Sequence, residues 1–281
     1  MTGLLEVPYG LRGRHVDGEF LRGHAVTLRF SSLGSGSEGN ALIVQVHRTA
    51  VMLDCGFGLA ETETRLARAG LAPTDIDAIL VTHEHSDHIG GVARFARKHQ
   101  VPVWLTHGTA KFLDDGAIDA ARLNNVDPHA RFSIGDIEVT PYLVPHDAYE
   151  PVQYVFSDGN ARLGVLTDTG TITAHIEASL SACDALVLEC NHDLDLLMGG
   201  PYPASLKKRV AGRFGHLDNH AAGALLRNID CTKLKHVLAA HLSKQNNRPA
   251  LAQAALSAAL GCDPVWIAIA EQKTGFDWRE I

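Results

Sequence analysis

Lysine is scarce in this chain: it occurs only 8 times in 281 residues, against 16 histidines. Acidic residues outnumber basic ones by 32 to 25, leaving a formal net charge of −7. A wholly basic nucleic-acid binder is therefore excluded, although a local basic patch is not. No apolar run approaches the roughly 18 residues that a membrane helix needs, so no membrane segment is expected. The first 25 residues carry scattered charges without the apolar centre of a secretory signal. Cysteine is sparse as well. Cys55, Cys183, Cys190, Cys231 and Cys262 form an odd set with no CxxC pair. They read as buried free thiols of a reducing, cytoplasmic compartment, and not as a disulfide framework. Linkers rich in Pro or Ser, repeats and low-complexity blocks are also missing. Residues 1–24 read as an N-terminal extension and residues 25–281 as a single continuous domain, long enough to bury about three quarters of its unfolded surface.

Short β-branched and apolar stretches predict strands at 26–30, 41–46, 51–53, 78–81, 103–105, 152–156, 163–166, 185–188 and 236–239. Helical stretches fall between them at 59–69, 88–99, 173–180, 204–211, 219–227 and 249–260. Hairpins come first, and strands alternating with helices come later. That order predicts an α/β fold in which helices cover the outer faces of sheets.

The histidine excess is concentrated. AILVTHEHSDHIGG places His83, His85, Asp87 and His88 directly after an apolar strand. In extended chain His83 and His85 point the same way, because side chains alternate with period two. Asp87 and His88 fall at the turn into a helix. One strand end can thus offer two imidazoles to one ion and a carboxylate plus imidazole to another. Closing two sites needs partners downstream, and three polar residues stand just past apolar strands: His146 in TPYLVPHDA, Asp168 in GVLTDTG and His241 in VLAAHLSKQNN.

With these residues the chain resembles the metallo-β-lactamase superfamily over nearly all of its length after residue 25. The resemblance implies a four-layer αββα sandwich with two metals at one edge. It implies that His83, His85 and His146 bind the first ion, that Asp87, His88 and His241 bind the second, and that Asp168 bridges them. Two further segments, SSLGSGSEGNALIV (31–44) and LECNHDLDLLMGGPYPASLKKRVAGRFGHLDN (188–219), resemble the YycJ/WalJ/VicX branch of that superfamily. That branch is associated with 5′-to-3′ exonuclease action on DNA. Asp218-Asn219 stands where the branch leads one to expect Ser-Asn, a departure that touches local contacts only.

Two ions about 3.5–4 Å apart can share a bridging hydroxide and polarise one phosphoryl group. A His-rich set with carboxylates suits zinc, and manganese where oxygen ligands dominate. Each divalent ion adds two charges, so two ions raise the formal charge from −7 to −3 and concentrate the gain in the cleft. The metal-bound hydroxide is then the expected nucleophile. Asp87 is the candidate to orient it or take its proton, and His216 the candidate to protonate the leaving oxygen. Substrate contacts are expected from Ser35, Ser37 and Asn40 of the Gly/Ser loop, from Lys207 and Arg209 of a basic run with Lys208 and Arg213, and from Asn246. A plain turn or a solvated helix face would explain each of these nearly as well.

The leading reading is a metal-dependent phosphodiester hydrolase, a 5′-to-3′ exonuclease with DNA as partner. The alternatives are a thioesterase, lactonase or small phosphodiesterase on the same scaffold, and a non-catalytic binding protein. Only 72 residues separate Asp168 from His241, too few for an inserted domain of the kind that larger RNA-processing relatives carry.

Overall fold

The computed structural model describes residues 27–114 and 116–281. The expected extension at 1–24 lies outside the described residues, as does the first residue of the strand expected at 26–30.

Two seven-stranded sheets face each other. In the first, β1 (Leu28–Gly34), β2 (Ala41–Val46) and β3 (Thr49–Leu53) form antiparallel hairpins. They continue into parallel β4 (Ala78–Leu80), β5 (Val103–Leu105) and β6 (Leu123–Asn125). The second sheet starts with the antiparallel β7 (Phe132–Ile134), β8 (Ile137–Leu143), β9 (Val152–Ser157) and β10 (Arg162–Leu166). It finishes with β11 (Ala185–Glu189), β12 (His236–Ala240) and β13 (Ala268–Ile269), all parallel to β10. The last strand, β14 (Phe276–Glu280), returns to the first sheet beside β1.

The strands are apolar on both faces because both faces are covered. In β2, Leu42 and Val44 enter the core between the sheets with Leu80, Tyr154, Phe156 and Leu163. The alternate residue Ile43 points outward, onto Leu66 of α1 (Leu59–Arg68) and Phe95 of α3 (Val92–His99). On the far side of the second sheet, Leu166 and Leu188 pack on Ile176 of α5 (Ala174–Leu180), Leu225 of α8 (Asn219–Asn228) and Leu256 of α9 (Pro249–Leu260). Three apolar layers between four structural layers make the expected αββα sandwich. Truncating one of these buried leucines to alanine costs about 2–5 kcal/mol. Four short helices complete the chain: α2 (Ser86–Ile89), α4 (His107–Ala110), α6 (Leu194–Gly199) and α7 (Ala204–Val210).

Two expectations change. The helix expected at 88–99 is two helices, α2 and α3, separated by Gly90-Gly91. A Cβ on Gly91 would collide with the carbonyl oxygen of Phe57, so the break admits a neighbouring loop. The strands β6, β7, β13 and β14 were not expected, and β8 only as the apolar stretch 142–144 before His146. Most are very short, and Pro141 inside β8 breaks the ordinary strand pattern. Among the described residues no helix is long and apolar enough to cross a membrane.

Candidate metal centre

Parallel neighbours in a sheet finish at the same edge. Accordingly Asp54 after β3, His83 after β4, Asp168 after β10, Glu189 at the end of β11 and His241 after β12 meet at one rim of the sandwich. Asp54, Asp168 and His241 adopt left-handed backbone with φ of 60°, 52° and 54°. That conformation costs on the order of 1–3 kcal/mol for a non-glycine residue and clusters at functional sites.

The turn that carries Asp87 and His88 is held by backbone hydrogen bonds. Asn40 N donates to the Asp87 carbonyl (2.8 Å), Cys55 N to the His88 carbonyl (2.8 Å) and Gly91 N to the Cys55 carbonyl (2.7 Å). This close approach requires Gly56, where a Cβ would overlap the Asp87 carbonyl. His88 Nδ1 lies 2.7 Å from Asp54 Oδ2, and Thr82 donates to Asp54 through its N–H (2.8 Å) and its hydroxyl. The ring is therefore oriented with Nε2 toward the centre.

The structure brings all seven residues expected as ligands together. Three groupings have one ligand atom per residue, all within 4.8 Å of one another: His83 with His85 and His146, Asp87 with His88 and His241, and His83 with His88 and Asp168. The last grouping shares His83 with the first and His88 with the second, and adds Asp168. A fourth sets Glu189 and His216, not expected as ligands, beside the expected Asp168 and His241. His146 Nε2 stands 3.2 Å from His85 Nδ1, while His146 Nδ1 is satisfied by the Gly215 carbonyl at 2.9 Å. His83 Nε2 and Asp168 Oδ2 are buried without a hydrogen-bond partner. Asp168 Oδ2 does lie 3.0 Å from His88 Nε2, a charge contact without hydrogen-bond geometry. Buried polar atoms are nearly always satisfied. Two orphaned donor atoms aimed into one nitrogen- and oxygen-lined centre fit a pair of divalent cations.

The ionisation pattern agrees. Burial, then the neighbouring His88, pushes His83 well below the ordinary imidazole range, and burial lowers His146. Both shifts favour the neutral ring in His83 and His146, the form in which imidazole binds metal. In the second cluster burial opposes charge but loses. Asp168 and Asp54 raise His88 well above its ordinary value, and Glu189 and Asp168 raise His216 likewise. Asp168, Asp87 and Glu189 raise His241 to about 9. Despite burial, His241 and His88 hold Asp168 well below the carboxylate range, and His216 with His241 lowers Glu189 to about 2. Carboxylates that draw protons onto three imidazoles mark a place where cation charge is stabilised.

The expected substrate contacts fare differently. Ser35 is buried, donates to Asn40 Oδ1 and accepts from His241 N at 2.9 Å. Asn40 is buried and its amide nitrogen lies 3.2 Å from His88 Nε2 and 3.4 Å from Asp87 Oδ2. Both brace the centre from below and do not face solvent. Ser37 is exposed at the tip of the same loop. Asn246 is fully buried and donates to Ser243 Oγ, so its side chain does not face a substrate. The helix expected at 204–211 is α7, which ends at Val210, so Arg213 of the basic run lies beyond it and shares no helical face with Lys207. Lys207 Nζ donates to the Met198 carbonyl at 2.6 Å. Arg209 Nε donates at 2.6 Å to Asp147, whose other oxygen is 3.5 Å from His146 Nε2. Arg209 therefore stands at the rim of the centre. His216 also stands there, with Nδ1 2.8 Å from Glu189 Oε1.

Asp54 and Thr82 escaped the sequence reading. The signal was present, because VMLD closes an apolar strand with an aspartate just as GVLTD does. Asp218, standing in place of serine, caps α8 by accepting from His220 N and Ala221 N. Serine at that position would do the same.

A four-layer sandwich with a histidine- and carboxylate-rich centre at the strand ends defines a class, and residues 49–241 match the family model described as the beta-lactamase superfamily domain. The chain belongs to that family. Among curated proteins it is 36% identical over 241 residues to exodeoxyribonuclease YycJ of Bacillus anthracis, covering 83% of this chain and 89% of that protein. It is 32% identical over 232 residues to exodeoxyribonuclease WalJ of Streptococcus pneumoniae, covering 81% and 86%. Among solved structures, the metallo-β-lactamase fold protein YhfI of Bacillus subtilis superposes with a TM-score of 0.70 at 16% identity, covering 92% of this chain and all of that one. This last likeness speaks to the fold alone.

Proposed function

We propose that the chain is a metal-dependent DNA exonuclease in which residues 25–281 act as one domain, with 5′-to-3′ direction. The observation that carries the reading is the joined pair of clusters around Asp168, with orphaned His83 Nε2 and Asp168 Oδ2. The names of the relatives that share most of the chain's length support DNA as substrate. His83, His85 and His146 would hold one divalent ion and Asp87, His88 and His241 the other, with Asp168 available to both. The nitrogen-rich set favours zinc, and the three carboxylates in reach leave manganese competent. When bound, the two ions polarise the scissile phosphoryl group and make an attacking water acidic.

The chain's own groups do the rest. Asp87 is ionised, because its contact with His241 outweighs burial, and it is only partly exposed. Its carboxylate can orient the attacking water and accept its proton. Glu189 accepts at His216 Nδ1, which leaves the half-buried His216 Nε2 as the atom that gives a proton to the leaving oxygen. A helper on each side of the phosphorus matches the need for one group that removes a proton and one that supplies it. The five free thiols suit a reducing cytoplasm.

The test is incubation of purified protein with end-labelled single- and double-stranded DNA and RNA plus manganese or zinc, with product length followed over time. Release of the 5′ label in mononucleotide-sized products is expected from the start. A ladder of internal cuts, or turnover of small esters with no DNA cleavage, would overturn the reading.

A further inference from the structure

Large aromatic side chains are mostly inside this protein. Among the described residues only Phe112, Tyr149, Phe214 and Trp266 are strongly exposed aromatics. Three of these four border one loop, residues 144–151, which carries His146 and Asp147. Tyr149 is 70% exposed, and its N–H is fixed by Glu84 Oε1 at 2.8 Å, between His83 and His85 in sequence. Phe112 meets Tyr149 edge to face, with ring centres 5.1 Å apart. Phe214 is 57% exposed, and its carbonyl accepts from Asp147 N of the same loop at 2.9 Å. Arg209 reaches the same loop through Asp147, and no other partner for its guanidinium is seen among the described residues.

Exposed aromatic rings that burial does not explain, on or tied to the loop that carries His146, call for a ligand with flat faces and negative charge. Nucleobases stack on aromatic rings without regard to sequence, and a cation beside them meets the backbone. We propose that Tyr149, braced by Phe112, is a stacking platform for the unpaired nucleobase next to the scissile phosphate, with Phe214 a further exposed ring at the same loop. The inference rests on the nuclease reading and adds to it. Recognition at the strand end is by base stacking, so it requires an unpaired base and ignores which base it is. Tyr149 is a substrate-contacting residue under this scheme, because its ring touches the base directly. The hydroxyl is not needed.

The test uses the full chain and a single-stranded oligonucleotide carrying 2-aminopurine at its 5′ end. In chelator, without any divalent ion, wild-type protein should quench the fluorescence of that base on binding. Tyr149→Ala and Phe112→Ala should weaken the quenching and raise the Kd about five- to 150-fold, as expected for loss of a stacked base. Tyr149→Phe should retain both. With metal, the alanine variants should raise KM for the same oligonucleotide by a similar factor. When the terminal nucleotide is abasic, wild type should lose that factor too and the variants little more. DNA binding and cleavage with unchanged quenching and KM in both alanine variants would overturn the platform while leaving the nuclease reading intact. Loss in Tyr149→Phe equal to that in Tyr149→Ala would also overturn it. Absence of both DNA binding and cleavage in wild type would remove the nuclease reading and the platform with it.

Discussion

Replacing Asp54 by Asn tests whether the ring of His88 is held ready for a metal. The backbone accepts the change, because φ at this position is 60° and asparagine is at ease there. The hydrogen bonds do not. Asp54 Oδ1 accepts from Thr82 N at 2.8 Å, while Oδ2 sits 2.7 Å from His88 Nδ1. An asparagine must keep its carbonyl oxygen toward the Thr82 N–H, which points its amide N–H at His88 Nδ1. His88 then carries its proton on Nε2, the atom that faces Asp168 at 3.0 Å, and that atom has no lone pair left for an ion. Loss of such an orienting carboxylate weakens metal binding about 10- to 100-fold, or about 1.4–2.8 kcal/mol. At a metal concentration 100 times the wild-type Kd, binding stabilises the fold by about 2.7 kcal/mol. The same concentration would stabilise the variant by only about 0.4–1.4 kcal/mol. At about 2–4 °C per kcal/mol for a chain this size, the metal-induced rise in Tm should fall from about 5–11 °C to about 1–6 °C. Thermal melts by circular dichroism with and without metal, beside a chelator-competition titration, measure both quantities. A variant that binds metal within twofold of wild type would refute the orienting role of Asp54.

The other predictions are these. His83→Ala should abolish hydrolysis while leaving the circular dichroism spectrum intact, because His83 lies outside the apolar layers. Activity within a few-fold of wild type would contradict the two-metal site, and metal analysis of Asp168→Ala should find fewer than two tightly bound ions. In metal-free protein, stability should fall on both sides of a plateau. His241 is raised from 6.5 to about 9, so its contribution is whole below pH 6.5 and lost as pH rises through 9. Glu189 is lowered from 4.5 to about 2, so its contribution is whole above pH 4.5 and lost as pH falls toward 2. Melts of chelated protein between pH 3 and 10 should peak between about 4.5 and 6.5, with a few kcal/mol lost on the alkaline side; a flat alkaline limb would count against the pairing. Neutralising Lys208, Arg209 and Arg213 should lower the salt slope of DNA binding by about 0.9 for each true phosphate contact and slow long-DNA cleavage much more than cleavage of bis-p-nitrophenyl phosphate. Equal loss on both substrates would make the run structural. Finally, burial pushes the Cys55 thiol up to about 12 and Cys183 to about 11, and Cys190 higher still. A thiol reagent at pH 8 should therefore reach only the half-buried Cys231 and Cys262 before unfolding, and rapid modification of a third thiol would contradict the packing.

What the chain shows on its face is local. A strand's end is legible because apolar residues stop and a polar one follows, and the HxHxDH spacing reports chemistry that a single strand and turn can present. His83, His85, Asp87 and His88 needed nothing beyond period-two alternation and the start of a helix. His146, Asp168 and His241 were legible from the same sign repeated downstream. Burial was not legible for the polar residues around them. Asn40 and Asn246 look like surface amides in sequence, yet both are enclosed, because Asn40 packs against the turn of Asp87 and His88 and Asn246 against Ser243 and Asp193. Asp54 became an orienting group only when parallel pairing set β3 beside β4. Glu189 became the partner of His216 only when the segment after α7 folded back onto the end of β11. Tyr149, Phe112 and Phe214, scattered over a hundred residues, come to one loop only through tertiary contacts: the Tyr149–Phe112 ring pair, Glu84 on Tyr149 N and the Phe214 carbonyl on Asp147 N. Sequence thus pointed to seven residues with the donor atoms to hold a metal, since strand ends and short spacing are local, but not to Glu189 and His216 beside them. The tertiary structure decided which residues orient them and which meet solvent, since both depend on contacts between segments far apart in the chain.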